Sequence, residues 1–153
     1  SAASDVYKRQ EKALYKAFEA AGLHIPEFGK VLFTVADESK AEAAVLAARF
    51  FEIGFSILAT KGTADYFEGY GLPVTRVAKI SETEDETVVD LIRKGVTQVV
   101  INTMDKNRQK ATEDGFIIRR EAVEHGVPLF TSLDTADAIL QVMESRGFST
   151  KAI

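Results

Sequence analysis

The chain contains no cysteine and no tryptophan, and only two histidines and three prolines in 153 residues. Without cysteine there is no disulfide and no thiolate nucleophile, and a cytosolic setting is favoured. No apolar run approaches the roughly 20 residues that a membrane-spanning helix needs. The first residues carry no apolar stretch of the kind a secretory signal uses. With 19 lysines and arginines against 23 aspartates and glutamates, the net charge is −4. The broad basic face that nucleic-acid binding requires is therefore missing. Neither a membrane nor a nucleic acid is expected as a partner. What remains is ordinary globular material, 46% hydrophobic and 27% charged, enough for one core and one domain.

The first ten residues, SAASDVYKRQ, carry no clear period and read as a non-native tail, with a native extension of the following helix as the alternative. Residues 11–27 follow as a helix and connector: EKALYKAFEAAG spaces Leu14, Tyr15 and Phe18 at helical intervals and stops at Gly22. LHIPEFG, with its proline and glycine, breaks the pattern. From residue 28 to 153 the chain alternates. KVLFTVA (30–36), FSILAT (55–60), PVTRVA (73–78), QVVINT (98–103) and PLFTS (128–132) read as strands. Helical patterns cover 38–54, with Asp37 as a cap, then 63–70, 87–95 with Gly95 as its stop, 116–126 and 135–147. Between them lie an acidic loop at 80–86 and a polar loop at 104–114. Nearly continuous apolar strands suit a sheet covered on both faces, and crossovers of this length force parallel pairing. The expected fold is a three-layer α/β/α domain with an open, mainly parallel five-stranded sheet.

Open parallel sheets bind ligands at the carboxyl ends of their strands. At those ends the sequence places Thr34, with Lys40 near the first turn of the next helix, then Thr60-Lys61-Gly62-Thr63, Lys79, Asn102-Thr103 and Thr131-Ser132. Hydroxyls, an amide and three lysines, with no histidine, suit an anion, most simply a phosphate. Helix N-termini add free N–H groups and partial positive charge. Gly62 allows close backbone approach. The same Thr-Lys-Gly-Thr corner also fits a plain strand-to-helix turn capped by Thr63. It is not a P-loop, and no G-x-G-x-x-G occurs.

Other groups point less directly to chemistry. Glu82, Glu84, Asp85 and Glu86 form an acidic loop that reads as solvated carboxylates. His24 lies in the connector, and His125 reads as a partner of a helix C-terminus. Zinc binding and histidine acid–base chemistry are not expected, and no metal ligand or catalytic residue is assigned. Lys106, Arg108 and Lys110 make a basic loop that either clamps phosphate or balances Glu113 and Asp114.

The blocks GKVLFTVADESKAEA, ATKGTADYFEGYGLPV, VVINTMDK, DGFIIRREAVEHGVP and TSLDTADAI together resemble the C-terminal regulatory domain of the carbamoyl-phosphate synthase large subunit, which has the methylglyoxal-synthase-like fold. The resemblance runs from about Phe28 to the C-terminus, and EKALYKAFEAAG looks like the end of the preceding synthetase unit. It implies a piece of a cytoplasmic ligase that makes carbamoyl phosphate from bicarbonate, glutamine-derived ammonia and ATP for pyrimidine and arginine synthesis. ATP and its Mg, Mn or K ions would belong to the synthetase units, leaving this segment non-catalytic and without a cofactor. The partners implied are the rest of the large subunit, the glutaminase small subunit and a nucleotide effector: UMP, phosphoribosyl pyrophosphate or IMP. The family's effector-phosphate positions fall on Thr34, Lys40, Thr60, Lys61, Gly62, Thr63 and Lys79, and its strand-four motif on Asn102 and Thr103. Relatives that bind purine effectors often carry histidine where Lys61 stands and hydroxyl residues where Met104 and Asp105 stand. The departure favours UMP and phosphoribosyl pyrophosphate over IMP.

Three rivals share the fold or the surface. Methylglyoxal synthase, which eliminates phosphate from dihydroxyacetone phosphate, needs a carboxylate base, for which Asp85 stands in place, and a histidine that is not found after strand one or strand four. An IMP cyclohydrolase domain would carry a long basic segment after the third strand. A packing module would bind no effector at all.

Overall fold

The computed structural model describes residues 2–22, 24–79, 86–104 and 113–151. Helix α1 (Ala2–Ala20) is followed by β1 (Lys30–Thr34), a single 3₁₀ turn (Asp37–Ser39), α2 (Lys40–Glu52), β2 (Ser56–Thr60) and α3 (Lys61–Gly69). Then come β3 (Val74–Val77), α4 (Val88–Arg93), β4 (Val99–Asn102), α5 (Glu113–Glu124), β5 (Leu129–Phe130) and α6 (Leu133–Lys151). The five strands form one sheet in the order β3-β2-β1-β4-β5, and all neighbours pair in parallel. The expected three-layer α/β/α architecture with an open parallel five-stranded sheet is the one found.

The strand periodicity sorts the core into two layers. Val31, Phe33, Ile57, Ala59, Val99 and Ile101 point to one face and pack on α2, α3 and α6. Leu32, Leu58 and Val100 point to the other and pack on α4 and α5. On the first face Phe33 meets Phe50 and Phe67 edge-on, with ring centroids 6.2 and 5.2 Å apart. Arg49 of α2 ties that layer to α6 through Glu144 and Asp137, both at 2.5 Å. Helix α1 joins the same layer through Phe18, which packs on Phe130 at 5.5 Å.

Several boundaries differ from expectation, each for a local reason. The first ten residues show no apolar period, yet α1 begins at Ala2. Asp37 does not cap α2. It opens the 3₁₀ turn, and its carboxylate pairs with Lys40. Strand β3 is not covered on both faces: it is an edge strand, and Thr75 and Arg76 are exposed. Helix α5 starts at Glu113 rather than 116, and α6 runs through Gly147 to Lys151 rather than stopping there. A single glycine costs a helix only about 1 kcal/mol and does not by itself end it. Gly95 does act as the stop of α4, with φ +71°, and the Val96 N–H returns to Leu91 O at 2.9 Å.

Candidate functional site

The strand order reverses between β1 and β4, since the chain winds outward from β1 to β2 and β3 and then crosses back to β4. A crevice at the carboxyl edge of such a switch point is the general ligand position in open α/β sheets. Thr34 is the last residue of β1 and sits opposite Asn102, the last of β4. Thr60, the last of β2, stands opposite Val77 of β3. These final rungs share the face that carries α4 and α5.

The three residues that leave β1 are each held by a neighbouring strand end. Asn102 Nδ2 donates to Thr34 Oγ1 at 2.6 Å and to Thr34 O at 3.3 Å. The Val35 N–H donates to Thr63 Oγ1 at 3.5 Å. The Ala36 N–H donates to Thr103 Oγ1 at 3.0 Å. Thr60, Thr63 and Asn102 are buried, and Thr34 and Thr103 are half-buried. The edge is thus a fixed polar lattice and not a set of loose side chains.

The Thr60-Lys61-Gly62-Thr63 corner contains no loop. The chain passes from β2 straight into α3, with Thr60 extended (φ −72°, ψ 162°) as the N-cap and Lys61 already helical. Thr63 is therefore not the cap: it sits two residues inside the helix and turns its hydroxyl to Val35. No side chain caps α3, so its first N–H groups, which have no intrahelical partner, are left to face the edge. Lys40 reaches the same spot from α2. Its side chain is only 14% exposed, it pairs with Asp37 at 2.5 Å, and its Nζ lies 3.2 Å from where a Cβ on Gly62 would stand. That close approach is what the glycine permits.

Lys61 and Lys79 are placed differently. Lys61 extends over an open groove of about 610 Å³ between β2, β3 and α4, lined also by Leu58, Thr75, Val77 and Glu86. Lys79 is exposed at the end of the edge strand. Neither makes an ion pair among the described residues. Strands β3 and β4 are three spacings apart, about 14 Å. One phosphate cannot reach both Lys79 and Asn102, so only an extended ligand would use the whole set.

One residue at this edge escapes a strand-end search. Arg119 of α5 donates from Nη1 to Asn102 Oδ1 at 2.9 Å. It forms no ion pair among the described residues. Arg119 comes from a helix face, and the only sequence signal is a basic pair, Arg119-Arg120, inside the apolar period of α5. Its neighbour Arg120 turns outward and pairs with Glu124. Because α2 and α5 cover opposite faces of the sheet, Lys40 and Arg119 flank the end of β1 from two sides.

The remaining sequence candidates lie elsewhere. His125 follows α5 and hydrogen-bonds Glu121 O at 2.9 Å, and His24 is in the connector before β1. Glu82, Glu84 and Asp85 of the acidic loop, and Lys106, Arg108 and Lys110 of the basic loop, lie outside the described residues. Glu86 pairs with Lys94 at 3.1 Å. Among the described residues no cluster of three or more histidines or carboxylates could hold a metal, and no helix is long and apolar enough to cross a membrane.

A family model described as an MGS-like domain matches residues 42–131. Among solved structures, a methylglyoxal synthase from Elizabethkingia anophelis NUHP1 aligns with a TM-score of 0.61 at 20% identity, over 76% of this chain and 79% of that one. The protein ForH aligns with a TM-score of 0.55 at 21% identity, over 78% of this chain and 82% of that one. At these identities the likeness is one of fold.

Proposed function

The chain belongs to the MGS-like domain family, and from that premise we propose that it binds a phosphorylated small molecule at the carboxyl edge of β1, β2 and β4. The observation that carries this reading is the convergence of Lys40 on Gly62 at the uncapped N-terminus of α3. A cation and free backbone donors meet there at a point where the missing side chain leaves room for an oxyanion. Thr34, Thr60, Thr63, Asn102 and Thr103 supply further polar groups around the same point, and Lys61 and Lys79 extend the positive charge toward β3.

The finer reading is that this is the effector-binding part of a carbamoyl-phosphate synthase large subunit. It rests on the resemblance of the quoted blocks. UMP or phosphoribosyl pyrophosphate would be the ligand, in preference to IMP, in a cytoplasmic ligase whose catalytic units and glutaminase partner lie outside this chain. Binding would regulate by favouring one global state of the larger enzyme over another.

Among the described residues this edge gathers binding groups without a free base: the carboxylate that reaches it, Asp37, is paired with Lys40, and neither histidine is among the residues gathered there. Asp85, the carboxylate a methylglyoxal synthase would use as its base, lies outside the described residues. A thermal-shift titration with UMP, phosphoribosyl pyrophosphate, IMP and dihydroxyacetone phosphate tests the proposal. A ligand at a hundred times its dissociation constant stabilises by ~2.7 kcal/mol, or roughly 5–10 °C at this size. Shifts with UMP or phosphoribosyl pyrophosphate are expected. A shift with dihydroxyacetone phosphate alone would return the site to enzyme chemistry. No shift with any of the four would leave a packing module.

A further inference from the structure

A threonine hydroxyl has one proton to donate and two lone pairs with which to accept. At the end of β1 three such hydroxyls are used as acceptors. Arg119 carries donors only, so the Asn102 oxygen must face it. That fixes the Asn102 Nδ2 toward Thr34 Oγ1, which accepts at 2.6 Å. Thr63 Oγ1 accepts from the Val35 N–H, and Thr103 Oγ1 accepts from the Ala36 N–H. None of the three hydroxyl protons has an acceptor among the described residues. Most of the other described groups at the edge are donors as well, namely Lys40 Nζ, the remaining Arg119 N–H groups and the first amides of α3, and the acceptor among them, the Asp37 carboxylate, is held by Lys40.

We infer that this edge is an anion site dominated by unsatisfied donors that takes the dianion of a phosphate monoester in preference to its protonated monoanion. The inference rests on the reading of the edge as a phosphate site and adds which ionic form it selects. A monoanion brings an O–H, in place of an acceptor, to a crevice whose described hydroxyls, amides and cations have protons to give and whose described carboxylate, Asp37, is already held by Lys40. Each such donor that the O–H meets in place of an acceptor is left with an unmade bond, which is costly when desolvated.

Among the described residues, the charged groups facing this edge are Lys40 of α2 with Asp37 of the 3₁₀ turn, Lys61 of α3 and Arg119 of α5. Lys79 and Glu86 stand farther off beside β3 and α4. Histidine is the side-chain type whose unperturbed charge changes between pH 5 and 8, and neither His24 nor His125 is among the groups at this edge. A pH effect on binding in that range therefore reports the ligand, whose second ionisation lies near pH ~6.

The test is calorimetric titration of the chain with ribose 5-phosphate and with sulfate, each at pH 7.5 and pH 5.0. Ribose 5-phosphate should bind about tenfold more weakly at pH 5.0, following its dianion fraction. Sulfate, a dianion throughout, should change less than twofold. Thr103→Val should weaken sulfate about fivefold, and Thr103→Ser should restore it. A ribose 5-phosphate affinity that does not change with pH overturns the inference and leaves the site standing. So does an equal loss of both ligands at pH 5.0, or a Thr103→Val variant that binds sulfate like the parent. Failure of both ligands to bind at either pH overturns the phosphate reading and this inference together.

Discussion

Asn102 bridges Arg119 and Thr34: it accepts from the guanidinium at 2.9 Å and donates to the hydroxyl at 2.6 Å, across the boundary where the strand order reverses. The bridge links a helix on one face of the sheet to the last rung of its central strand. Asn102 is buried, so removing its amide leaves polar groups without partners. Such a loss costs about 1–3 kcal/mol, or roughly 2–12 °C at this size. Asn102→Ala should melt lower by that amount. Its response to a phosphorylated ligand should fall further than Arg119→Met reduces it, because Arg119→Met leaves the Thr34 bond in place. Thermal melts with and without ribose 5-phosphate check this. Equal stability of Asn102→Ala and the parent would show that the bridge is not used.

The three lysines should not be equivalent. A charge-assisted hydrogen bond to phosphate contributes about 1.5–3 kcal/mol, so Lys40→Ala should weaken inorganic phosphate by roughly 10- to 150-fold. Lys61→Ala should also weaken it, though its side chain leans toward the β2–β3 groove. Lys79 stands two strand spacings from β1, about 10 Å. At that distance in water a unit charge is worth about 0.4 kcal/mol. Lys79→Ala should therefore change inorganic phosphate affinity only about twofold, and should show a larger effect with phosphoribosyl pyrophosphate. An equal loss in all three variants with inorganic phosphate would argue against the layout.

Gly62→Ala separates binding from folding. Gly62 is inside α3 with no positive φ, and a Cβ there would meet Lys40 Nζ at 3.2 Å. The contact is with the end of a flexible side chain, which can move by a few tenths of an ångström. Stability should hold or rise by about 0.4–1 kcal/mol, because the unfolded chain loses freedom. The methyl group would press on the Lys40 ammonium and crowd an oxyanion held beside it, so phosphate affinity should fall at least tenfold. A melt and a phosphate titration on the same sample decide it. A variant that binds as well as the parent would place the anion elsewhere.

How much of this was legible beforehand follows from where each signal resides. Alternating apolar runs and glycine stops such as Gly95 mark the five strands and their parallel order of covering, because those are local, periodic features. Thr34, Thr60, Asn102 and Thr103 could be placed at one edge because a parallel sheet puts all its carboxyl ends on the same side. Arg119 could not, since nothing local distinguishes it from the solvent-facing Arg120 next to it. The cap of α3 was also misplaced. Thr60 and Thr63 are equally good caps by type, and only the abrupt turn from strand into helix, with Lys61 already helical, chooses between them. The helical state of residues 2–10 carried no amphipathic signal at all.

Phe67 holds the corner from below. It is fully buried between Phe33 of β1 and the layer that contains Ala64 and Phe50. Phe67→Ala should cost about 3–5 kcal/mol through lost burial and the cavity left behind. Phe67→Leu, which keeps most of the volume, should cost less than half of that. Because α3 is anchored there, hydrogen exchange at its first amides should rise in Phe67→Ala more than in α6. Uniform acceleration across both helices would mean global loosening without a local role at the corner.

Acid stability gives a check within the α4–α5 layer that does not depend on ligand binding. Glu121 of α5 is 8% exposed and accepts from Arg93 Nε at 3.0 Å and Nη2 at 2.7 Å. That hydrogen-bonded pair holds the Glu121 carboxyl below the usual carboxylate range. A carboxylate with a lowered folded-state pKa binds fewer protons folded than unfolded, so its contribution is present above the unfolded value, about 4.3, and is lost as the pH falls from there through the folded value. Glu121→Gln should therefore be less stable than the parent at pH 7, with the gap closing as the pH falls below about 4. Denaturant midpoints from pH 7 to pH 3 measure the gap. A gap that stays constant over that range would assign the loss to packing and not to the charge. A gap that widens toward low pH would reverse the sign of the linkage and rule out Arg93 as the group that lowers the Glu121 pKa.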